Sequence, residues 1–470
     1  MENNHRRKQE YPILILSIPF IDTEFVKKHY HKSNWKEFRL DYSRDFRAFP
    51  QECIDPKTII TIRDISEGGI NRIEFDEKFS YYKKMIAEYN CLVDCEILLY
   101  KKNVLPSKNL ILSYHNNAEN IDEKKILNII KISNSIPSRF LKIALNISEY
   151  SDIVCISKLI KESTKPVLFA GMGKLGKITR IIHGHLGAEG TYIGMNKYQT
   201  AKDQLTEKEM NKFYLSKITR KTYIGGIIGG EQVVDSLGLT YYNRYFHSHN
   251  IDAVYLPFVV NDLDDFLNFL KNCNFKDKFY GFSITMPFKK EAGKFNKETE
   301  KLQIINLYLP KTKEVYNTDF TAFRKSIEYT GITKKDTVLI FGSGATAETA
   351  LISLSKFPNV YIMSRNSISG KKLSLKYSRK FISMKISEKV KYDIIINCTP
   401  LGMRDENFLK TTNLRISRKV IDLTYTKKNT SLLNECEAKD VLFVDGKRFW
   451  HWQAKEQLSK FINEIEYKKR

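Results

Sequence analysis

Two residues in the first half of this 470-residue chain have side chains suited to carbonyl chemistry. Lys142 lies within residues 139–147, a run that otherwise has the pattern of a fully buried strand. Burial among apolar neighbours can hold a lysine amine neutral, and a neutral amine condenses with a ketone to form an imine. The alternative is an ordinary ammonium group that reaches the end of the strand. The preceding apolar run ends in His115, a proton carrier near neutral pH, and this favours the catalytic interpretation.

Short apolar runs recur at nearly even spacing through the first half, and amphipathic segments such as 77–89 and 123–132 separate most of them. Eight parallel strands in about 200 residues predict a small (β/α)8 TIM barrel, whose active site lies at the C-terminal ends of the strands. The predicted strands are Ile13–Pro19, Phe38–Tyr42, Ile59–Arg63, Leu92–Leu98, Leu110–His115, Leu141–Ile147, Val167–Met172 and Thr191–Met195.

Polar and charged residues follow or end several of these predicted strands. Glu37 and Arg39 would share one face of the second strand, and Glu67 lies in the loop after the third. Their convergence favours a polar pocket, although Arg39 with Asp41 or Glu37 would also fit a simple ion-pair network, and Glu67 would also fit a loop cap. The candidate residues at this rim are Glu37, Arg39, Arg63, Glu67, His115, Lys142, Arg180, Thr200 and Gln204.

A nucleotide-binding pattern stands in the second half. Residues 336–347 are typical of a buried strand, a glycine turn and the start of a helix, the arrangement that binds a dinucleotide pyrophosphate at a helix N-terminus. The next strand ends at Ser364 and Arg365, where an arginine in place of an acid indicates NADP rather than NAD. The candidate turn residues are Gly342, Ser343, Gly344, Ala345, Thr346 and Ala347.

Lys289 and Asp319 form a second candidate catalytic pair. Lys289 follows a strand that is stopped by Pro287, and Asp319 lies in a later loop. A lysine and an aspartate from separate loops can transfer a proton, but a surface ion pair has the same composition, and spacing alone does not decide between them.

Five segments of the first half match a known family in order and spacing: Glu37–Asp41, Thr61–Gly69, Ser113–His115, Lys142–Ala144 and Ile178–Arg180. Residues 10–205 therefore resemble the type I 3-dehydroquinate dehydratases of the shikimate pathway. The resemblance implies that Lys142 forms the imine, that His115 moves the proton during loss of water, and that Arg180 binds a carboxylate. It implies that Glu37, Arg63, Thr200 and Gln204 hold hydroxyls or order the pocket. The Pro-Gly that usually precedes the glutamine is missing from this chain.

Residues 222–465 resemble shikimate dehydrogenase through Ser283–Lys289, Asn317–Asp319, the glycine turn, Asn397–Met403 and Asp422–Tyr425. The resemblance implies hydride transfer with NADP, with Lys289 and Asp319 handling the hydroxyl proton. Gly238 and Leu307 replace polar residues usual in the family, and the space at Gly238 would admit an extra ring hydroxyl, as in quinate. The implied substrate-binding residues are Ser236, Thr285, Asn306, Tyr425 and Gln453, and the implied additional cofactor-binding residues are Thr399 and Leu423.

Together these patterns predict an α/β protein with an N-terminal TIM barrel followed by a two-domain shikimate dehydrogenase-like unit containing a Rossmann NADP-binding domain. The expected boundaries are a barrel over 1–214, a substrate-binding domain over 215–330 completed by the C-terminal helix 447–470, and the Rossmann domain over 331–446.

The expected enzyme would dehydrate 3-dehydroquinate to 3-dehydroshikimate and reduce that product to shikimate. A metabolite-sensing protein without catalysis is the alternative, but a sensor has no need of four proton-carrying residues.

Charge and cysteine content indicate which class of binding partner and which cellular compartment to expect. The net charge of +23 is spread over Lys/Asn-rich stretches rather than concentrated in a basic block, so we expect no nucleic-acid partner. The seven cysteines are odd in number and form no CxxC pair, which is typical of reduced thiols in a cytoplasmic protein. No apolar run has membrane-spanning length, and residues 1–10 lack the apolar core of a signal peptide.

Overall fold

The computed structural model describes residues 12–30, 34–100, 105–201, 203–295, 304–385, 391–404, 406–426 and 428–467. Residues 1–10, for which no signal peptide is expected, lie outside the described residues. The chain divides into two compact units, Met1–Phe279 and Tyr280–Arg470. The three domains expected from the sequence, with boundaries at 214/215, 330/331 and 446/447, stay a prediction.

The first unit contains a closed barrel of eight parallel strands, as the sequence predicts. Each strand pairs with the next one along the chain, and the first closes on the eighth. Apolar side chains such as Ile15, Ile59, Leu92 and Ile111 pack together in the barrel core. The strands are β1 (Ile13–Pro19), β2 (Lys36–Arg39), β3 (Thr58–Thr61), β4 (Leu92–Glu96), β5 (Leu110–Asn116), β6 (Phe140–Asn146), β7 (Val167–Met172) and β8 (Gly190–Gly194).

The second strand differs from the prediction, because β2 stops at Arg39 and Leu40–Tyr42 forms a 3-10 turn. The Asp41 carboxylate accepts two hydrogen bonds from the Arg39 guanidinium, at 2.8 and 2.9 Å, and one from the backbone N–H of Arg63 at 3.2 Å. Residues two apart on a regular strand are separated by about 6.6 Å along it, so the turn is what brings the Asp41 carboxylate to these donors.

Amphipathic helices lie between the barrel strands and bury one face each. On the longest of them Phe79, Tyr82 and Met85 are buried at a spacing of three residues. The helices of this part are α1 (Thr23–His29), α2 (Phe75–Tyr89), α3 (Glu123–Ser135), α4 (Tyr150–Leu159), α5 (Gly176–Ile181), α6 (His183–Leu186) and α7 (Glu207–Lys212).

The first unit continues with a parallel pair of strands, β9 (Tyr223–Gly229) and β10 (Ala253–Val259), and two helices, α8 (Leu237–Ser248) and α9 (Leu263–Asn272). Asp265 of α9 accepts hydrogen bonds from the backbone N–H groups of Tyr150 and Ser151, at 2.7 and 3.0 Å. These are the first residues of α4, so a carboxylate from one helix satisfies free amides at the N-terminus of another.

The second unit contains strands that pair in antiparallel fashion and a doubly wound nucleotide-binding fold. The antiparallel strands are β11 (Phe279–Ile284), β12 (Leu307–Leu309) and β13 (Glu314–Tyr316). Six parallel strands form the second sheet in the order β16-β15-β14-β17-β18-β19, the order typical of a Rossmann fold. These strands are β14 (Val338–Phe341), β15 (Val360–Met363), β16 (Lys380–Phe381), β17 (Ile394–Asn397), β18 (Lys419–Asp422) and β19 (Leu442–Val444).

Apolar clusters on the Rossmann sheet join its strands to the surrounding helices. The helix predicted to follow the glycine turn is present and spans Ala345–Ser353. The helices of this unit are α10 (Asp319–Thr330), α11 (Ala345–Ser353), α12 (Ser367–Lys376), α13 (Phe408–Thr412), α14 (Ser431–Ala438) and α15 (Gly446–Glu466).

Two further expectations concern membrane and redox character. All seven cysteines are free and most are buried, as predicted for reduced thiols. None of the helices in the described parts of the chain is both long enough and apolar enough to cross a bilayer.

Two buried histidines should make the first unit sensitive to acid. Burial lowers the pKa of His183 and His185 to about 4, whereas an unfolded histidine titrates near ~6.5. Between these values the unfolded chain binds more protons, so stability is complete above about pH 6.5 and falls as the pH drops toward 4. We expect each histidine to cost about 2 kcal/mol of unfolding free energy at pH 5, measured by urea titration.

The matched variants His183→Asn and His185→Gln keep a side-chain N–H for the carbonyls of Arg180 and Thr222, which the histidines contact at 2.7 and 2.9 Å. The double variant should lose less stability between pH 7 and pH 5 than the wild type. An unchanged loss would contradict this assignment.

Candidate active site

The Lys142 amine lies between two buried carboxylates. Its Nζ donates to Glu37 Oε1 at 2.9 Å and to Asp94 Oδ2 at 2.8 Å, and it sits 4.0 Å from the centre of the Tyr192 ring. Lys142 is buried, as predicted, but the expectation that its amine has only apolar neighbours is wrong. The physical reason is that inward-facing acids of β2 and β4 surround the lysine of β6, and two carboxylates at this distance attract a cation.

Both carboxylates are held ionised by their neighbours. Burial alone would raise the pKa of Glu37, but the charges of Lys142 and Arg39 outweigh it and leave the pKa below its usual range. For Asp94 the burial effect is likewise overcome by Arg63 and Lys142, and its pKa is lowered. The Asp94 Oδ2 atom accepts hydrogen bonds from both Lys142 and Arg63, because Arg63 Nη2 donates to it at 2.8 Å.

The second Asp94 oxygen, Oδ1, has a different environment. It is buried and has no hydrogen-bond partner among the residues that the structure describes, and the same holds for the Tyr192 hydroxyl. Buried polar atoms are nearly always hydrogen-bonded, so two free groups beside one lysine mark a place where a polar ligand would satisfy them.

Arg63 is fixed from several sides by residues of neighbouring elements. Its Nη1 donates to Ser113 Oγ at 2.8 Å and to Glu96 Oε1 at 3.2 Å. Glu96 also accepts from Lys78 of α2 and from the backbone N–H of Asp64 at 2.8 Å. The guanidinium is thus held in one orientation, with a helix on the outside of the barrel contributing to the network.

His115 is paired with Glu67 in a buried part of the site. The Nδ1 atom of His115 lies 2.8 Å from Glu67 Oε2. Burial, reinforced by the charges of Arg63 and Lys142, lowers the pKa of His115 well below its usual value. Burial also raises the pKa of Glu67 to about 8. Burial thus favours the neutral form of both groups near neutral pH, and Glu67 contacts His115 rather than only capping its loop.

Arg180 is buried without a carboxylate partner in the described part of the chain. Its Nε and Nη1 donate to the backbone carbonyls of Gly171 and Tyr192, at 2.9 and 2.5 Å. Burial lowers its pKa to about 10, which still leaves it charged at neutral pH. A charged, buried group that lacks a counter-ion is suited to bind an anionic ligand.

Thr200 and Gln204 join the same network from the segment after β8. Thr200 Oγ1 lies 2.7 Å from Ser17 Oγ, which donates to Glu37 Oε2 at 2.6 Å, and Gln204 Oε1 accepts from the Thr200 N–H at 3.3 Å. Arg39, by contrast, contributes two of its donors to Asp41, so the ion-pair interpretation of that residue fits the structure.

The sequence indicated Ser113 only as part of a matching segment, without a role of its own. The residues of this network that it did not single out are Ser17, Lys78, Asp94, Glu96 and Tyr192. A signal for two of them was present. Asp94 and Glu96 are two residues apart in a buried strand, the same alternation that drew attention to Glu37 and Arg39. Lys78 could not be found in this way. The sequence around it predicts a helix, but it does not tell which barrel strand that helix packs against.

The second unit contains the predicted lysine–aspartate pair. Lys289 Nζ donates to Asp319 Oδ2 at 2.7 Å, and Asn306 Nδ2 donates to Asp319 Oδ1 at 3.0 Å. Asp319 is buried and Lys289 is mostly buried. The pair is therefore not an exposed surface contact, and Asn306 holds the second carboxylate oxygen in place.

Gln457 is a further residue that the sequence did not single out. It accepts from Ser283 Oγ at 2.6 Å and donates to Thr318 Oγ1 at 3.1 Å, next to Asp319. The predicted Gln453 precedes it by one turn of α15, on the same side of the helix, and is half-buried. Among the other predicted residues, Thr285 is half-buried after β11 and Tyr425 is exposed after β18.

Ser236 belongs to the first unit, where it caps α8 by accepting the Gly238 N–H at 3.2 Å. The expectation of free space at Gly238 is wrong. A Cβ there would stand 3.1 Å from ring atoms of both Tyr242 and Tyr255, so aromatic side chains occupy the space beside this glycine.

The glycine turn after β14 fits a dinucleotide. Gly342 has φ +134°, a conformation that favours glycine, and a Cβ there would approach Thr399 to 3.1 Å. Gly344 precedes α11, and a Cβ at this position would meet nothing within 4 Å, which leaves open space beside the free amides of the helix. The remaining candidates lie at neighbouring strand ends, Ser364 and Arg365 after β15 and Leu423 after β18, and the Arg365 side chain is exposed.

The protonation of Glu67 can be measured directly. We expect infrared difference spectra of the wild type to show a protonated carboxyl at pH 7 that ionises as the pH rises through about 8, because burial raises the Glu67 pKa to that value. The Glu67→Gln variant keeps the shape of the side chain and should lack this signal. The same signal in both proteins would show that another carboxyl carries the proton.

Known protein families match both the barrel half and the second half of the chain. The family model for type I 3-dehydroquinase matches residues 28–220, and that for the shikimate dehydrogenase substrate binding domain matches residues 228–303. Shikimate dehydrogenase (NADP(+)) of Clostridium botulinum (strain Loch Maree / Type A3) is 30% identical over 247 residues, 49% of this chain and 93% of that protein.

A longer relative spans both halves. The bifunctional 3-dehydroquinate dehydratase/shikimate dehydrogenase, chloroplastic, of Arabidopsis thaliana is 24% identical over an alignment of 497 residues, 96% of this chain and 81% of that protein. The chain therefore belongs to the family in which a type I 3-dehydroquinase is joined to a shikimate dehydrogenase.

Proposed function

We propose that the chain dehydrates 3-dehydroquinate to 3-dehydroshikimate in the barrel and reduces that product to shikimate in the second half, with NADPH as the reductant. The observation that carries the proposal is that one chain holds two lysine-centred sites, Lys142 between Glu37 and Asp94 and Lys289 on Asp319. Lysine serves as a nucleophile in the first site and as a proton carrier in the second.

In the barrel, the Lys142 amine adds to the substrate ketone, and loss of water from the adduct gives an iminium ion. His115 then removes a proton from the neighbouring carbon, and the electron pair of that C–H bond moves to the iminium nitrogen. The resulting enamine expels the hydroxyl one carbon further on, and His115 returns the proton to it, so that water leaves. Hydrolysis of the imine frees the product and regenerates the amine.

The surrounding groups prepare these steps. His115 pairs with Ala144 in the β5–β6 register and Ser113 pairs with Lys142, so the histidine stands one inward position nearer the C-terminal rim than the lysine. A neutral His115 is ready to accept a proton. Arg180 would bind the substrate carboxylate, and the free Asp94 oxygen would accept a hydrogen bond from the adduct hydroxyl.

In the second half, NADPH supplies the hydride to the ketone carbon when it is bound. Lys289 donates the proton to the ketone oxygen, and Asp319 orients the lysine while Asn306 holds the other Asp319 oxygen. Gly342, Gly344 and the first turn of α11 would receive the pyrophosphate, and Arg365 would pair with the 2′-phosphate. We propose shikimate rather than quinate as the product, because the relatives that match the second half are named as shikimate dehydrogenases.

The compartment is a further part of the proposal. Seven free cysteines fit a reducing environment, and we propose the cytoplasm. The Arabidopsis relative is named as chloroplastic, and cell fractionation with an antibody against this chain distinguishes the two locations.

Separate variants should inactivate the two halves independently. With 3-dehydroquinate and NADPH, the wild type should oxidise NADPH, whereas both Lys142→Ala and Lys289→Ala should fail. With 3-dehydroshikimate, Lys142→Ala should regain NADPH oxidation and Lys289→Ala should not. Absorbance of NADPH follows the reaction, and a wild type that binds both compounds without turnover would favour a metabolite sensor instead.

Borohydride should trap the barrel intermediate. Because borohydride reduces an imine to a stable amine, wild type incubated with 3-dehydroquinate and borohydride should gain mass on the peptide that carries Lys142. The gain should equal the mass of the bound compound less one oxygen, since imine formation releases water and the reduction adds two hydrogens. The Lys289→Ala variant should be labelled equally and serves as the control. Label on a different lysine, or none, would refute the assignment of Lys142.

A further inference from the structure

A buried threonine of α11 contacts the segment that carries the second catalytic pair. Thr349 is fully buried, and its Oγ1 donates to the carbonyl of Ala345, the first residue of the helix, at 3.1 Å. The same oxygen accepts a hydrogen bond from Asn317 Nδ2 at 3.1 Å. A hydroxyl has only one hydrogen to donate. Thr349 therefore donates that hydrogen within its own helix and accepts a hydrogen bond from Asn317.

Asn317 passes this contact on to Asp319. Its Oδ1 accepts from the backbone N–H of Asp319 at 3.1 Å, so both ends of the amide are engaged. Asp319 is the first residue of α10 and accepts Lys289 Nζ at 2.7 Å. An unbroken chain of three hydrogen bonds therefore runs from α11 to Lys289.

The neighbouring residue of α11 makes a weaker contact with the lysine segment. Glu348 Oε2 lies 3.6 Å from the Nζ of Lys290, whose side chain is 55% exposed. An exposed ion pair of this length contributes little. The Glu348 carboxylate is held mainly by Lys376 and Tyr377, at 2.6 and 2.9 Å. The buried contact of Thr349 is therefore the one that can fix the pair.

We propose that Thr349 is a positioning residue for the reduction: through Asn317 it sets Asp319 and Lys289 relative to the helix whose first turn binds the cofactor. This inference rests on the function proposed for the second half. The hydride must pass from a cofactor anchored at the start of α11 to a ketone whose oxygen is held by Lys289. Thr349 lies one turn beyond Ala345, so it ties the position of the proton donor to the element that positions the hydride donor.

The test is the Thr349→Val variant, which keeps the shape of the side chain and removes its acceptor. A misplacement of about 1 Å costs about 100-fold in rate, so we expect kcat with 3-dehydroshikimate and NADPH to fall between about 10-fold and 100-fold. The KM for NADPH should stay within about twofold, because the glycine turn is intact. The primary isotope effect with NADPH deuterated at the transferred position should rise, and Thr349→Ser should restore wild-type values.

Thr330→Val is the matched control. Thr330 is also buried, and its Oγ1 donates to the Ser326 carbonyl at 2.6 Å at the far end of α10. It should lose similar thermal stability and keep wild-type kinetics. If Thr349→Val and Thr330→Val have the same kinetics in an active enzyme, or if Thr349→Ser is as slow as the valine variant, the inference is overturned. A wild type that does not oxidise NADPH with 3-dehydroshikimate overturns the proposed reductase and this inference together.

Discussion

The structure of the barrel site depends on the placement of one lysine side chain between two carboxylates. Lys142 and Arg63 share Asp94, and Glu37 accepts from Lys142 on the opposite side. A buried charge without partners costs far more than the few kcal/mol by which a domain is stable, so no member of this cluster is tolerable alone. Removing one partner of such a pair costs about 3–5 kcal/mol, because the other is left buried and uncompensated.

The same cluster makes opposing demands on folding and on catalysis. Carboxylates around Lys142 stabilise the folded barrel, while a nucleophile needs a free electron pair on the amine. The His115–Glu67 pair beside the cluster can supply a base with little added charge, since burial disfavours the charged form of both groups. Arg180 leaves one positive charge without a carboxylate neighbour in the described chain, and a carboxylate substrate would balance it. Ligand binding is thus what completes the charge balance of the pocket.

In the second unit the catalytic pair is held by neutral groups rather than by more charges. Asn306, Thr318 and Gln457 form a hydrogen-bonded set behind Asp319. Amides and hydroxyls fix a carboxylate without adding a competing cation, so Lys289 remains the partner of Asp319. The contrast explains why the two lysines can have different chemistry: one is embedded in a multi-charge network, and the other is one half of a single ion pair.

The sequence by itself determined the eight barrel strands and the glycine turn of the nucleotide fold, and it singled out many of the charged residues that the structure brings together. Short apolar runs, and charges within or beside them, are local signals. It did not determine the end of β2, where Asp41 turns back to bind Arg39, or the reach of Lys78 from α2 to Glu96. Only the tertiary structure decided that Lys142 faces Glu37 and Asp94 rather than apolar side chains, and that Tyr242 and Tyr255 fill the space beside Gly238. These contacts join residues far apart in the chain, and strand pairing and helix packing, not local pattern, set which of them meet.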